Sequence, residues 1–175
     1  MHPQKADPVK LFAAILWAQS DPLKEACRIL QSFWGDVDFT GGDHPFDVTD
    51  YYEPEMGKDL NRRLVSFSSL APADCLNSAK HRCNEIENQL AGARGRSVNL
   101  DIGYLDHYKI VLASFKSAGQ KIYLGDGVWA DLVGRYREGR YRPFEWTFPD
   151  FRDGRYDREL CRIREIYLKQ LRQFR

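Results

Sequence analysis

Two stretches of this chain carry side chains able to do chemistry. The first is Asn99-Leu100-Asp101-Ile102-Gly103-Tyr104-Leu105, which sets an amide, a carboxylate and a phenol beside apolar residues. If it is extended, Asn99 and Asp101 share one face and Leu100 and Ile102 the other. Two polar groups on one face of a central strand line a cleft; on an edge strand they merely face water. Lys109, just before the apolar run Ile110-Val111-Leu112-Ala113, is placed to neutralise Asp101 or a ligand's phosphate. His107 is the one histidine set for acid–base work, although a capping or solvated role competes.

The second stretch holds Asp47, Thr49, Asp50, Tyr51, Tyr52 and Glu55. Closely spaced carboxylates with a hydroxyl suit a hard cation such as Mg²⁺, with Asp47 and Asp50 as the candidate ligands. One of two crowded carboxylates can also hold its proton to higher pH and serve as an acid or base. The competing reading is a loop in which Asp and Thr satisfy backbone amides. A third segment, Trp146-Thr147-Phe148-Pro149-Asp150-Phe151-Arg152, combines rings with Arg. It could stack a base or a sugar, or simply pin a loop to a sheet. No phosphate-binding loop, dinucleotide fingerprint, nucleophile elbow or zinc-protease motif occurs.

These residues need elements to hold them. Val9 to Trp17 is an apolar run of strand length and reads as a buried central strand. Asp21-Pro22 reads as the start of a helix with Asp as N-cap, and Gly35 suits the position after its end. Residues 36–59 have no clean period and read as a long loop with one short strand at most. Arg62 to Phe67 alternates as a strand, with Leu64 and Ser66 opposite Arg63, Val65 and Phe67. Pro72 opens a helix whose stripe is Leu76, Ala79, Cys83, Ile86 and Leu90. Val98 to Leu105, Ile110 to Phe115 and Ile122 to Leu124 read as extended. Val128 to Tyr136 and Tyr141 to Phe144 form a hairpin around Glu138-Gly139. Asp157 caps a last helix with Leu160, Ile163, Tyr167, Leu171 and Phe174 on one face.

The order predicts an α+β fold: an antiparallel or mixed sheet with helices on one face, a ferredoxin-like βαββαβ core plus a C-terminal hairpin and helix. Its 175 residues suit a single domain, 1–175, with a frayed N-terminus at 1–8 and the C-terminal helix at 156–175. The net charge of +1 argues against a generally basic nucleic-acid binder, but it conceals an asymmetry. Residues 36–59 hold eight acids against one Lys, and residues 135–175 hold twelve Lys or Arg against seven acids. The four cysteines include no C-x-x-C pair, which argues against a zinc site. The apolar run near the start carries Lys10 and is too short to span a bilayer, so a reduced, cytoplasmic protein without a membrane anchor is expected.

The chain resembles the bacterial proteins grouped as the domain of unknown function DUF4416. The likeness rests on Pro8-Val9-Lys10-Leu11-Phe12, Phe46-Asp47-Val48-Thr49-Asp50-Tyr51-Tyr52 with Glu55-Met56-Gly57, and Asn99 to Leu105. It continues through Ile122-Tyr123-Leu124-Gly125 and Trp146-Thr147-Phe148-Pro149-Asp150. Where such proteins usually show Asp-Pro-Gly-Tyr, this chain has Asp101-Ile102-Gly103-Tyr104. The resemblance implies no established activity. Some relatives carry a GTP-binding label, for which this chain lacks the P-loop.

The preferred expectation is a small anionic ligand or nucleotide bound in a cleft lined by Asp50, Asp101 and Tyr104, with Asp47, Thr49, Tyr51, Asn99, Lys109, Trp146 and Asp150 contributing. One alternative is metal-assisted hydrolysis or transfer, with Asp47 and Asp50 on the metal, Asp101 as base and His107 as a further catalytic candidate. The other is an RNA- or protein-binding adaptor working through the Arg-rich C-terminal half. All depend on the acidic loop meeting the Asn99–Tyr104 strand in space.

Overall fold

A computed structural model describes residues 2–174, the side chain of Phe174 excepted. The chain runs β1 (Val9–Trp17), α1 (Ser20–Trp34), β2 (Val37–Thr40), β3 (His44–Pro45), α2 (Glu53–Met56), β4 (Asn61–Ala71) and α3 (Leu76–Gln89). It continues with β5 (Val98–Leu105), β6 (Lys109–Ser114), β7 (Ile122–Gly125), β8 (Val128–Arg137), β9 (Arg140–Pro143), α4 (Pro149–Arg152) and α5 (Asp157–Phe174). All nine strands of the described residues join one antiparallel sheet ordered β2-β4-β1-β5-β6-β8-β7, with β3 added to β4 and β9 to β8.

β1 is the spine of the sheet. Its alternate residues feed two different cores. Val9, Leu11, Ala13 and Ile15 pack with Leu23, Ala26, Ile29 and Leu30 of α1 and with Leu76, Ala79, Cys83 and Ile86 of α3. Phe12 and Ala14 pack with Leu160, Ile163, Tyr167 and Leu171 of α5 and with Phe151 and Tyr156. Helices therefore cover both faces of the sheet, not one as the order of elements suggested. The reason lies in the strand itself: β1 is apolar at every position but Lys10, and a strand apolar on both sides needs cover on both sides. Lys10 itself is fully buried, and its ammonium donates to Asp38, to the carbonyl of Phe67 and to Gln170 of α5. That cluster fastens α5 across the sheet.

Other boundaries differ in smaller ways. α1 begins at Ser20, so Asp21 lies in its first turn rather than at the cap, which Gln19 occupies. Pro72 starts the turn that leads into α3 rather than the helix itself, with Cys75 N–H donating to the Pro72 carbonyl at 3.1 Å. Residues 36–59 contain β2, β3 and α2, more structure than one strand. The expected place of Phe174 on the α5 stripe falls outside the described side chains, and that of Met1 in the N-terminal segment outside the described residues.

One irregularity matters most. β5 pairs with β1 along its whole length, from Lys10↔Leu105 to Trp17↔Val98. It pairs with β6 only from Gly103↔Leu112 to Leu105↔Ile110. Beyond Gly103 the two strands part. The β5 edge left open at Leu100 is satisfied by α3 instead: Glu87 accepts the Leu100 N–H, and Lys80 donates to the Leu100 carbonyl at 3.2 Å. Side chains there do the work of a neighbouring strand. Gly103 sits where the strands diverge, and a Cβ on it would meet the Val111 carbonyl oxygen at 2.5 Å.

Candidate functional site

The parting of β5 and β6 opens a cleft of about 550 Å³. It reaches both faces of the sheet. From the α1–α3 side it is lined by Lys80, Asn84, Glu87 and Asn88, and from the α5 side by Arg62, Asp101 and Phe151. The acidic loop forms one wall through Tyr51, Tyr52 and Glu55, and the segment after β6 forms another through Phe115, Lys116 and Lys121. The two stretches singled out in the sequence thus meet, the acidic loop through Tyr51, Tyr52 and Glu55 and not through Asp47, Thr49 or Asp50.

Of the predicted residues, Tyr51, Asn99 and Asp101 line the cleft together. Asp50 is exposed and is not among the lining residues; its carbonyl accepts the Glu53 N–H. Asp47 is turned to Arg155, which donates to it at 3.1 Å, and Thr49 accepts the Tyr51 N–H at 3.1 Å. These are the loop-tying roles that competed with metal binding. Among the described residues no group of three or more His, Cys, Asp and Glu side chains is placed to hold a metal ion. Tyr104 is buried in the α1–α3 core, outside the cleft lining. Lys109 is paired with Asp106 rather than with Asp101. His107 is exposed in the β5–β6 turn and is not among the lining residues. Trp146 stacks on Phe144 and donates to the Leu132 carbonyl at 2.8 Å. Asp150 lies behind the cleft, fully buried, on Arg62 and the Tyr156 hydroxyl.

The floor is built around Arg62. Its guanidinium donates to Asp150 at 2.7 Å and to Asp101 at 2.9 Å, under the ring of Phe46 at 4.5 Å. Only 2% of this arginine is exposed. Two carboxylates are the compensation that a buried guanidinium requires. At one wall Arg96 makes a two-pronged ion pair with Glu55 and donates to the side-chain oxygen of Asn99 at 2.9 Å. Arg96 holds the Glu55 carboxyl down at about 2. Burial pushes the Glu87 carboxyl up, opposed by Lys80 and by the Leu100 N–H. Burial likewise raises the Tyr52 hydroxyl, with the Asp101 charge adding to it.

Several groups around the cleft are left over. With its oxygen taken by Arg96, Asn99 has an Nδ2 with no acceptor among the described residues, although only 4% of the residue is exposed. Lys80 and Lys116 have no carboxylate partner within ion-pair distance among the described residues; Lys116 lies 4.0 Å over the Tyr51 ring. Among the described residues, Arg62, Lys80, Glu87 and Asn99 are four of the eight buried polar or charged side chains, and all four line this one cleft. Burying polar groups without full partners is costly, and here that cost is concentrated at one opening.

Periodicity could have found them. Lys80 and Glu87 fall in step with Leu76, Cys83 and Leu90 at spacings of four and three, inside the apolar stripe of α3. Arg62 falls in step with Leu64 on β4. A charge in phase with the core is the signal that marks all three.

The fold and site define an α+β protein whose antiparallel sheet is parted by a polar cleft. Residues 7–167 match Domain of unknown function (DUF4416), and the chain belongs to that family. No curated protein and no solved structure matches it.

Proposed function

We propose that the protein binds a small phosphorylated ligand of about nucleotide size in the cleft between β5 and β6. The observation that carries this reading is the gathering of buried Arg62, Lys80, Glu87 and Asn99 around one opening, with donors uncommitted. Lys80 and Lys116 approach from opposite walls and suit an anionic group. Tyr51, Tyr52, Phe115 and Phe148 supply ring faces for a planar one. A volume of about 550 Å³ falls within the roughly 300–1,000 Å³ usual for small-molecule sites. Relative to the sequence expectation, Asp101 stays in the ligand set, while Arg62, Lys80 and Lys116 take the places given to Asp50 and Tyr104.

In the same reading the inner strands β2-β4-β1-β5, with α1 and α3, are the ferredoxin-like part of a single cytoplasmic domain, and β6 to β9 with α5 are additions. Among the described residues no helix is long and apolar enough to cross a membrane.

Thermal-shift and calorimetric titration with AMP, GMP, glucose 6-phosphate and inorganic phosphate tests the reading. At least one of the three organic phosphates should stabilise the protein, and Lys80→Met with Lys116→Ala should abolish the effect. Unchanged melting with all four would overturn it.

A further inference from the structure

Resting on that binding reading, we infer that Glu87 and Asp101 form the acid and the carboxylate of a hydrolytic site that cuts the glycosidic bond of a nucleoside monophosphate. The two groups reach the cleft from opposite faces of the sheet. Glu87 comes from α3 and is fastened to the outer edge of β5, one of its oxygens accepting the Leu100 N–H. Its other oxygen makes no hydrogen bond to the described residues. Asp101 is the next residue along that strand and stands on the α5 side, opposite Ala14 of β1. Both line the cleft. The Asp101 charge acts on Glu87 in the same direction as its burial.

Their surroundings give them different work. Glu87 is 5% exposed, and its carboxyl is the one that burial inclines to keep a proton. Asp101 lies against the Arg62 guanidinium at 2.9 Å, the counter-charge of an ionised carboxylate. Glycosidic-bond cleavage uses two carboxyl groups, one to give a proton and one that stays negative, and the cleft lining supplies one of each. The negative group also stabilises the positive charge that builds on the sugar carbon. Asn99, one strand period from Asp101, lines the same cleft and keeps a buried Nδ2 without an acceptor among the described residues, a donor that a sugar oxygen would satisfy.

The step balances with water as the only co-reactant. Glu87 gives its proton to a ring nitrogen of the departing base. The bond from sugar carbon C1′ to the base nitrogen breaks, and its electron pair leaves with the base. A water oxygen bonds to C1′, and the proton it sheds passes to Asp101. Exchange with solvent moves one proton from Asp101 back to Glu87. The products are a free base and a sugar phosphate.

The test uses the full chain with the common ribo- and deoxyribonucleoside 5′-monophosphates, and free base is read by chromatography. Base release is expected from at least one nucleotide, with a fall of roughly 100-fold or more in Glu87→Gln and in Asp101→Asn. A structural role for Glu87 would not survive a second readout. In 7-methyl-GMP the ring already carries the positive charge that protonation supplies. Glu87→Gln should therefore retain most of the activity on that nucleotide, while Asp101→Asn should not. No free base from any nucleotide would overturn the inference, as would an equal loss on both substrates in Glu87→Gln. A thermal shift with nucleotide but no base release refutes hydrolysis and leaves the binding reading standing; neither signal removes both.

Discussion

Arg62 and Asp150, 88 positions apart in the chain, meet at 2.7 Å with less than 3% of either residue exposed. The contact joins β4 to α4 beneath the cleft, and Asp101 completes it from β5. Removing the guanidinium while keeping its shape leaves a buried carboxylate without its counter-charge. Arg62→Met should cost about 3–5 kcal/mol in urea unfolding. A loss below about 1 kcal/mol would show that the pair is not sealed as described.

Gly103 should tolerate no side chain. An added Cβ would press on the Val111 carbonyl at 2.5 Å and on Leu112, and the backbone there cannot turn aside as a flexible side chain could. Gly103→Ala should lose about 1–3 kcal/mol. A Cβ on Gly119 would meet no neighbouring atom within 4 Å, and Gly119→Ala should stay within about 0.5 kcal/mol of the parent. Urea midpoints of the two variants make the comparison.

The Glu55–Arg96 pair gives an acid-side dependence. Glu55 titrates at about 2 in the folded protein, below its ordinary 4.5. The unfolded chain therefore takes up the proton first as pH falls. The stabilisation is complete above about 4.5 and is lost on the way down to about 2. The pair is partly exposed, so its share is small, below about 1 kcal/mol. Comparison of urea midpoints for the parent and Glu55→Gln between pH 2 and 6 should show the two curves converging at the acid end.

Glu87 runs the other way. Its folded carboxyl holds the proton to higher pH than the ordinary 4.5. Between that value and its folded one the native state carries the extra proton, and stability falls as pH rises. Glu87→Gln keeps an acceptor for the Leu100 N–H and has no charge to bury. It should flatten this fall and be no less stable than the parent at pH 7, measured by denaturant midpoint.

Much of the frame is legible along the chain. The boundaries of β1 follow directly from an apolar run between polar flanks, and the stripe on α3 from its spacing, because burial on a regular element leaves a regular trace. The second covered face does not show in the order of elements. It depends on α5, more than 140 positions after β1, folding back over Phe12 and Ala14. The site is half visible. Asp101 and Asn99 stand out as polar residues at one strand face, whereas Lys80 and Glu87 are hidden inside a stripe defined by its apolar members. Asp47 and Asp50 draw attention by their density, but density in a loop is equally the mark of residues tying their own backbone, as Thr49 does for Tyr51.

The amide of Leu100 has a side-chain partner where its neighbours in a regular sheet would have a backbone one. Its exchange with solvent deuterium is thus governed by one carboxyl group and not by the fraying of an adjoining strand. A single NMR resonance, followed in isotopically labelled protein, reports whether Glu87 is in place, and it does so before any substrate is known.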